Sequence, residues 1–127
     1  MQISKELLSE VLQTKLKRHD SAFVKITDIG IDNSMVHINY QNSHRIICLF
    51  MINIYELAHK CKEWAKSKDY YILSGYDDTN IPVSLINHHY GEGGCSCDEY
   101  FETNTEPEAI FKACDYIILN MTQFIRE

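Results

Sequence analysis

The sequence predicts an α+β protein: antiparallel sheet flanked by three helices in the order α-βββ-α-βββ-α, sandwich-like and a single domain over residues 1–127. Three observations carry this. Apolar residues recur at helical spacing in three separate stretches, the period between those stretches falls to two, and capping residues stand where the helices should begin. Composition agrees, because 45% apolar residues with five Gly and two Pro in 127 suit an ordinary globular core and exclude collagen-like, low-complexity and disordered chains.

From Ile3 to Leu16 the residues Ile3, Leu7, Leu8, Val11, Leu12 and Leu16 line one helical face, and Ser4 is placed to cap its start. Past Lys17, Arg18 and His19 the period changes. Phe23, Val24 and Ile26, then Val36, Ile38 and Tyr40, then Ile46 to Phe50 read as three strands, with Gly30, Asp32 and Asn33 in one turn and Asn42 and Ser43 in the next. Asn53 and Glu56 have capping-box spacing, and Ile54, Leu57, Ala58, Cys61, Trp64 and Ala65 form a second helical stripe ending near Lys68.

Tyr70 to Tyr76 and Ile81 to His89 then read as strands joined across residues 77–80, and Cys97 to Phe101 as a shorter third strand beyond a Gly91 to Gly94 loop. The run Thr105, Glu106, Pro107, Glu108 is a helix start with Thr105 as cap, Glu108 reaching back to it and Pro107 in the first turn. It is followed inward by Ile110, Phe111, Cys114, Ile117, Ile118, Met121 and Phe124. The pattern suggests halves at 1–50 and 51–127. Superposing Lys17–Asp28 on Lys66–Asp77 matches Lys17 with Lys66, Asp20 with Asp69 and Asp28 with Asp77, too few identities to establish a duplication.

The longest apolar run, Ile46 to Ile54, is interrupted by Asn53 and falls far short of the roughly 20 residues of a membrane span, so no membrane association is expected. Five cysteines without a secretory signal point to reduced thiols and a cytoplasmic setting. The net charge of −6 conceals a strong asymmetry. Residues 1–68 hold ten Lys and Arg against seven acids, whereas residues 69–111 hold nine acids and no Lys or Arg. Such a field repels nucleic acid and anionic lipid and speeds association with basic proteins.

Tyrosines fall inside the same segment. Tyr76, Tyr90 and Tyr100, with Asp77, Asp78, Glu92, Asp98, Glu99 and Glu102, form the candidate binding surface, because tyrosine supplies large contact area at low entropic cost. The plainer alternative is a solvated acidic face with some tyrosines in the core.

A second cluster offers different chemistry. His88, His89, Cys95 and Cys97 supply ligand types that zinc prefers and a thiol–imidazole combination suited to a nucleophile, so a metal- or thiol-dependent enzyme is the alternative function. The spacing is unfavourable: C-x-C leaves one residue between the thiols, and adjacent histidines on a strand face opposite ways. No basic residue stands nearby to lower a thiol pKa. Gly91-Glu-Gly-Gly94 lacks the Gly-Lys-Ser or Gly-Lys-Thr of a phosphate loop. Cys48, Cys61 and Cys114 lie on apolar faces and are expected in the core, and His19, His37, His44 and His59 form no shared site. No cofactor is expected.

Residues 53–125, running helix, three strands, helix, resemble the element order of double-stranded RNA-binding domains. In that family the last helix opens with a lysine cluster that clamps phosphates, whereas Glu106 and Glu108 occupy that turn here and only Lys112 is basic. Lys15, Lys17, Arg18 and Lys25 form a modest basic cluster elsewhere.

The same segment, through Lys60-Cys61-Lys62-Glu63-Trp64-Ala65 and the run from Thr105 to Cys114, also resembles small accessory proteins encoded by phages and prophages. That resemblance implies an α/β sandwich without catalytic residues. The expected function is a non-catalytic binding protein of a phage or mobile element, a candidate inhibitor of host defence. It would engage a basic, nucleic-acid-binding host protein through the acidic tyrosine-bearing surface without touching nucleic acid itself. A homodimer is compatible with this reading.

Overall fold

The computed structural model describes residues 2–13, 24–42, 46–90 and 94–125. Its elements follow the expected order: α1 (Lys5–Val11), β1 (Val24–Asp32), β2 (Met35–Asn42), β3 (Ile47–Asn53), α2 (Ile54–Ser67), β4 (Tyr70–Tyr76), β5 (Pro82–Tyr90), β6 (Gly94–Glu102) and α3 (Glu106–Ile125). The strands form two antiparallel sheets, β1-β2-β3 and β4-β5-β6. The chain groups into two compact units, Ile3–Leu57 and Ala58–Glu127, the latter with Met1–Gln2, so the division between them falls inside α2. Among the described residues no helix is long and apolar enough to cross a membrane.

In the first unit Ser4 caps α1 as its sequence position suggests, its hydroxyl accepting from the Leu7 N–H at 3.1 Å. Leu7, Leu8 and Leu12 are buried and α1 packs beside β1. The continuation of the expected helix to Leu16 lies outside the described residues.

The hairpin differs from the sequence reading. Gly30 and Asp32 belong to β1, and Asn33 and Ser34 alone form the two-residue turn, both with positive φ (47° and 67°). A two-residue loop of this hand matches the twist of the flanking strands, which is why the strands run on to its edge. Ile26 and Ile29 are three residues apart, yet they face Tyr40 and Ile38, which are two apart. A bulge at Thr27 absorbs the extra residue and keeps both isoleucines on one face. That face collects Ile26, Val36, Ile38, Tyr40 and Ile52 as buried core, with Cys48 half-buried.

At the start of α2 the Asn53 carboxamide accepts from the Tyr55 N–H at 2.8 Å, and the Ser34 carbonyl accepts from the Ile54 N–H at 2.8 Å, tying the helix to the hairpin turn. Ile54 and Leu57 are buried, and the helix continues into the second unit with Ala58, Cys61, Trp64 and Ala65 buried on the predicted stripe. It ends where Asp69 turns left-handed (φ 66°), the Lys68 and Asp69 N–H groups donating to Ala65 and Lys66.

The second sheet is roofed by α3, which packs against all three of its strands. Thr105 is the N-cap as expected, its hydroxyl accepting from the Glu108 N–H at 3.3 Å. The fully buried Ser84 hydroxyl donates to the Ala109 carbonyl at 2.7 Å, and Ser74 donates to the Glu106 carboxylate at 2.7 Å. Phe101 meets Tyr116 edge-on at 6.0 Å. Ile110, Phe111, Cys114 and Ile117 are buried as expected, and Ile118 is partly exposed. The third strand is longer than predicted, Gly94–Glu102 in place of Cys97–Phe101, with a bulge that leaves Asp98 between the Ile86–Glu99 and Asn87–Cys97 pairs.

Candidate functional site

Serines 74 and 84, hydrogen-bonded to α3, mark the helix-covered face of the second sheet, so pleating turns alternate residues to the opposite face. Register then aligns Leu73, Leu85 and Tyr100 in one row across all three strands, and Gly75, Val83 and Glu102 in the next. Leu73 (56%) and Tyr100 (48%) are among the most exposed large apolar side chains of the unit. No heavy atom comes within 4 Å of where a side chain at Gly75 would begin, leaving a shallow opening beside them.

The β4–β5 connection brings carboxylates to this row. Oδ1 of Asp77 accepts from the Thr79 N–H (2.8 Å), the Thr79 hydroxyl (2.8 Å) and the Ile81 N–H (3.0 Å), and Asn80 takes a positive φ of 63°. These bonds, that from Ile81 foremost, hold the Asp77 carboxyl below its ordinary value. The Tyr100 hydroxyl is pushed above its ordinary value, first by desolvation and then by the charges of Glu102, Asp77 and Asp78. Desolvation is the larger cause, and the three carboxylates add to it in the same direction.

The structure therefore brings Asp77, Asp78, Tyr100 and Glu102 together, and adds Leu73 and Leu85, which the sequence did not single out. β4 reads Tyr-Tyr-Ile-Leu-Ser-Gly-Tyr, apolar on both parities, so alternation carries no signal for which of its residues face out. Tyr76 shares its parity with Ser74 and so belongs to the other side of the strand, although at the strand end it is exposed. Glu99, opposite Ile86, has that parity too, with an exposed side chain. Tyr90 and Asp98 lie in β5 and β6 with side chains outside the described set, and Glu92 lies outside the described residues.

The backbone register places His89 opposite Cys95, Asn87 opposite Cys97, and His88 opposite Ser96. The side chains of His88, His89, Cys95 and Cys97 are outside the described set. Among the described residues no three His, Cys, Asp or Glu converge on a metal position. Of the remaining candidates, His59 is exposed and pairs with Glu63 at 2.9 Å, while Cys61 and Cys114 are buried together. The Cys114 thiol donates to the Cys61 carbonyl at 3.7 Å, and its contact with the Cys61 side chain, added to burial, holds it well above the ordinary thiol range. A thiol so held is a packing group, not a nucleophile.

The sequence matches no protein-family model and no curated protein.

Proposed function

We propose that this chain is a non-catalytic, cytoplasmic binding protein whose acidic, tyrosine-bearing sheet face engages a basic protein. The single observation that carries the reading is the row Leu73, Leu85, Tyr100 with Asp77, Asp78 and Glu102 close enough to shift the Tyr100 hydroxyl. An exposed apolar and aromatic centre with charge at its rim is the composition of a docking surface, and the sign of that rim selects Lys- and Arg-rich partners.

The segment from Lys68 to Lys112 contains no intervening basic residue to neutralise this field. The first turn of α3, where an RNA-binding domain would present lysines, holds Glu106 bonded to Ser74. Direct nucleic-acid binding is accordingly disfavoured, and a protein that itself binds nucleic acid is the natural basic counterpart. An origin in a phage or mobile element, with a host protein as target, follows only from the family resemblance drawn on the sequence.

Affinity capture from a host lysate followed by association kinetics tests the reading. The double reversal Asp78→Lys with Glu102→Lys slows association with the captured protein roughly tenfold or more at low salt and flattens its salt dependence. Asp77 is left in place because it holds the turn. If those reversals leave the kinetics unchanged and reversal of Lys5 and Lys25 to Glu abolishes binding, the interface is elsewhere and the reading fails.

A further inference from the structure

The first sheet also has an uncovered face, of different chemistry. Among the described residues β3 pairs with β2 alone, making it an edge of its sheet. Ile47 (74%), Leu49 (57%) and Met51 (51%) are exposed along it, and between Ile47 and Asn53 there is no charge, proline, glycine or bulge. Edges are ordinarily protected by such devices. The opposite edge of the same sheet has them, with a bulge at Thr27 and with Lys25, Asp28 and Asp32. In the second sheet β6 has a bulge and Asp98, Glu99 and Glu102, and β4 runs directly into Asp77 and Asp78. β3 is the edge left open.

We infer that β3 is a self-pairing edge: two copies of this chain join β3 to β3, antiparallel about a two-fold axis at Leu49, into one sheet with three strands from each. Two arguments identify a second copy as the occupant. The first is register. Placing Leu49 opposite Leu49 of the second copy sets Ile47 against Met51 and Cys48 against Phe50, so Ile47, Leu49 and Met51 each gain an apolar cross-strand neighbour. Sliding by two residues in one direction moves the axis to Phe50 and sets Ile47 against Asn53, and sliding in the other moves it to Cys48 and sets Met51 against Arg45, so of these registers the one centred on Leu49 has no apolar residue facing a polar one.

The second is charge. Residues 3–57 hold six Lys and Arg and six Asp and Glu, whereas residues 58–127 hold six against twelve. Two copies of an acidic surface repel, and two copies of a neutral unit meeting at an uncharged strand do not. The proposal is independent of the basic-partner reading, which uses the other sheet.

Sedimentation velocity over a range of concentrations tests it. The wild-type chain shows a reversible monomer–dimer equilibrium, and Leu49→Lys, which sets lysine against lysine at the axis, raises the dissociation constant at least about tenfold while Leu73→Lys leaves it unchanged. Should Leu49→Lys unfold the chain, cross-linking decides. In a Cys48→Ser background, adding Leu49→Cys makes a short bismaleimide yield a covalent dimer that the background alone does not. A chain monomeric at every concentration overturns the inference. So does a dimer indifferent to Leu49→Lys, or a folded Leu49→Cys variant that fails to cross-link.

Discussion

The two sheets are the same meander built twice, each with its second strand in the middle and a bulge in one outer strand, yet their open faces differ. The first presents Ile47, Leu49 and Met51 on an uncharged edge strand. The second presents Leu73 and Tyr100 beneath the Asp77–Asp78 turn and beside Glu102. The covered faces differ as well. One core has the short α1 beside β1, the other is covered by the twenty-residue α3, which reaches the sheet through two serine hydroxyls. The lesson is that topology fixes which residues are uncovered, and the few charges beside them decide what those residues can meet: a like surface for a neutral strand, a basic partner for an acidic one.

The comparison can be broken first at its cores. Trp64→Ala should cost about 3–5 kcal/mol in chemical denaturation, because the indole is nine-tenths buried, and Ile38→Ala at the centre of the first sheet about 2–5 kcal/mol. Trp64→Phe sharpens the point. The indole N–H finds no hydrogen-bond partner among the described residues, so removing it relieves an unsatisfied donor, and the variant should stay within about 1.5 kcal/mol of wild type. An equal loss for Phe and Ala would show that the indole nitrogen is paired after all.

At the next level stand the caps, one in each unit. Ser4→Ala and Thr105→Ala should each lower stability by about 0.5–2 kcal/mol, with Gly at either position costing only a few tenths more than the native residue. A silent Ser4→Ala beside a costly Thr105→Ala would mean that α1 contributes little to its unit.

The smallest effects are ionisations, both in the second unit. Asp77 has a lowered folded pKa, so its contribution to stability is present above the ordinary value of 3.8 and is lost as pH falls through the lower folded value. Acid titration of wild type against Asp77→Asn should therefore show two curves apart at neutral pH that converge in acid. Tyr100 has a raised pKa, so its neutral form persists above pH 10.0, and Glu102→Gln should move its ionisation downward. Ultraviolet difference titration against Tyr100→Phe reads this directly, and no movement would remove Glu102 from the cluster.

Much of the fold was legible beforehand. Helical stripes at 54–65 and 106–117 and the Ser4, Asn53 and Thr105 caps all lie where spacing placed them, since caps and periodicity are local properties of the chain. In the second hairpin β4 spans Tyr70–Tyr76, the bounds its sequence predicts. Errors gathered where local signals mislead. Gly30 and Asp32 look like turn residues, but the turn is set by the twist of paired strands, and β6 begins at Gly94 because β5 supplies hydrogen bonds that outweigh glycine's weak strand preference.

By itself the sequence determined the order of elements, the helix starts and the separation of charge along the chain, because each depends on residues close together in sequence. Only the tertiary structure decided which side of each strand is uncovered. In Ile46–Ile52 and Tyr70–Leu73 both parities are apolar, so no alternation distinguishes core from surface. The decision was made by contacts distant in sequence. Ser84 and Ser74 bonding to α3 turned Leu73, Leu85 and Tyr100 outward, the bulge at Thr27 aligned Ile26 and Ile29 with the β2 core, and the β2–β3 register set Cys48, Phe50 and Ile52 beside Tyr40, Ile38 and Val36, leaving Ile47, Leu49 and Met51 on the opposite face. A side chain's exposure depends on what packs against its neighbours, and a local pattern of two apolar parities cannot encode that.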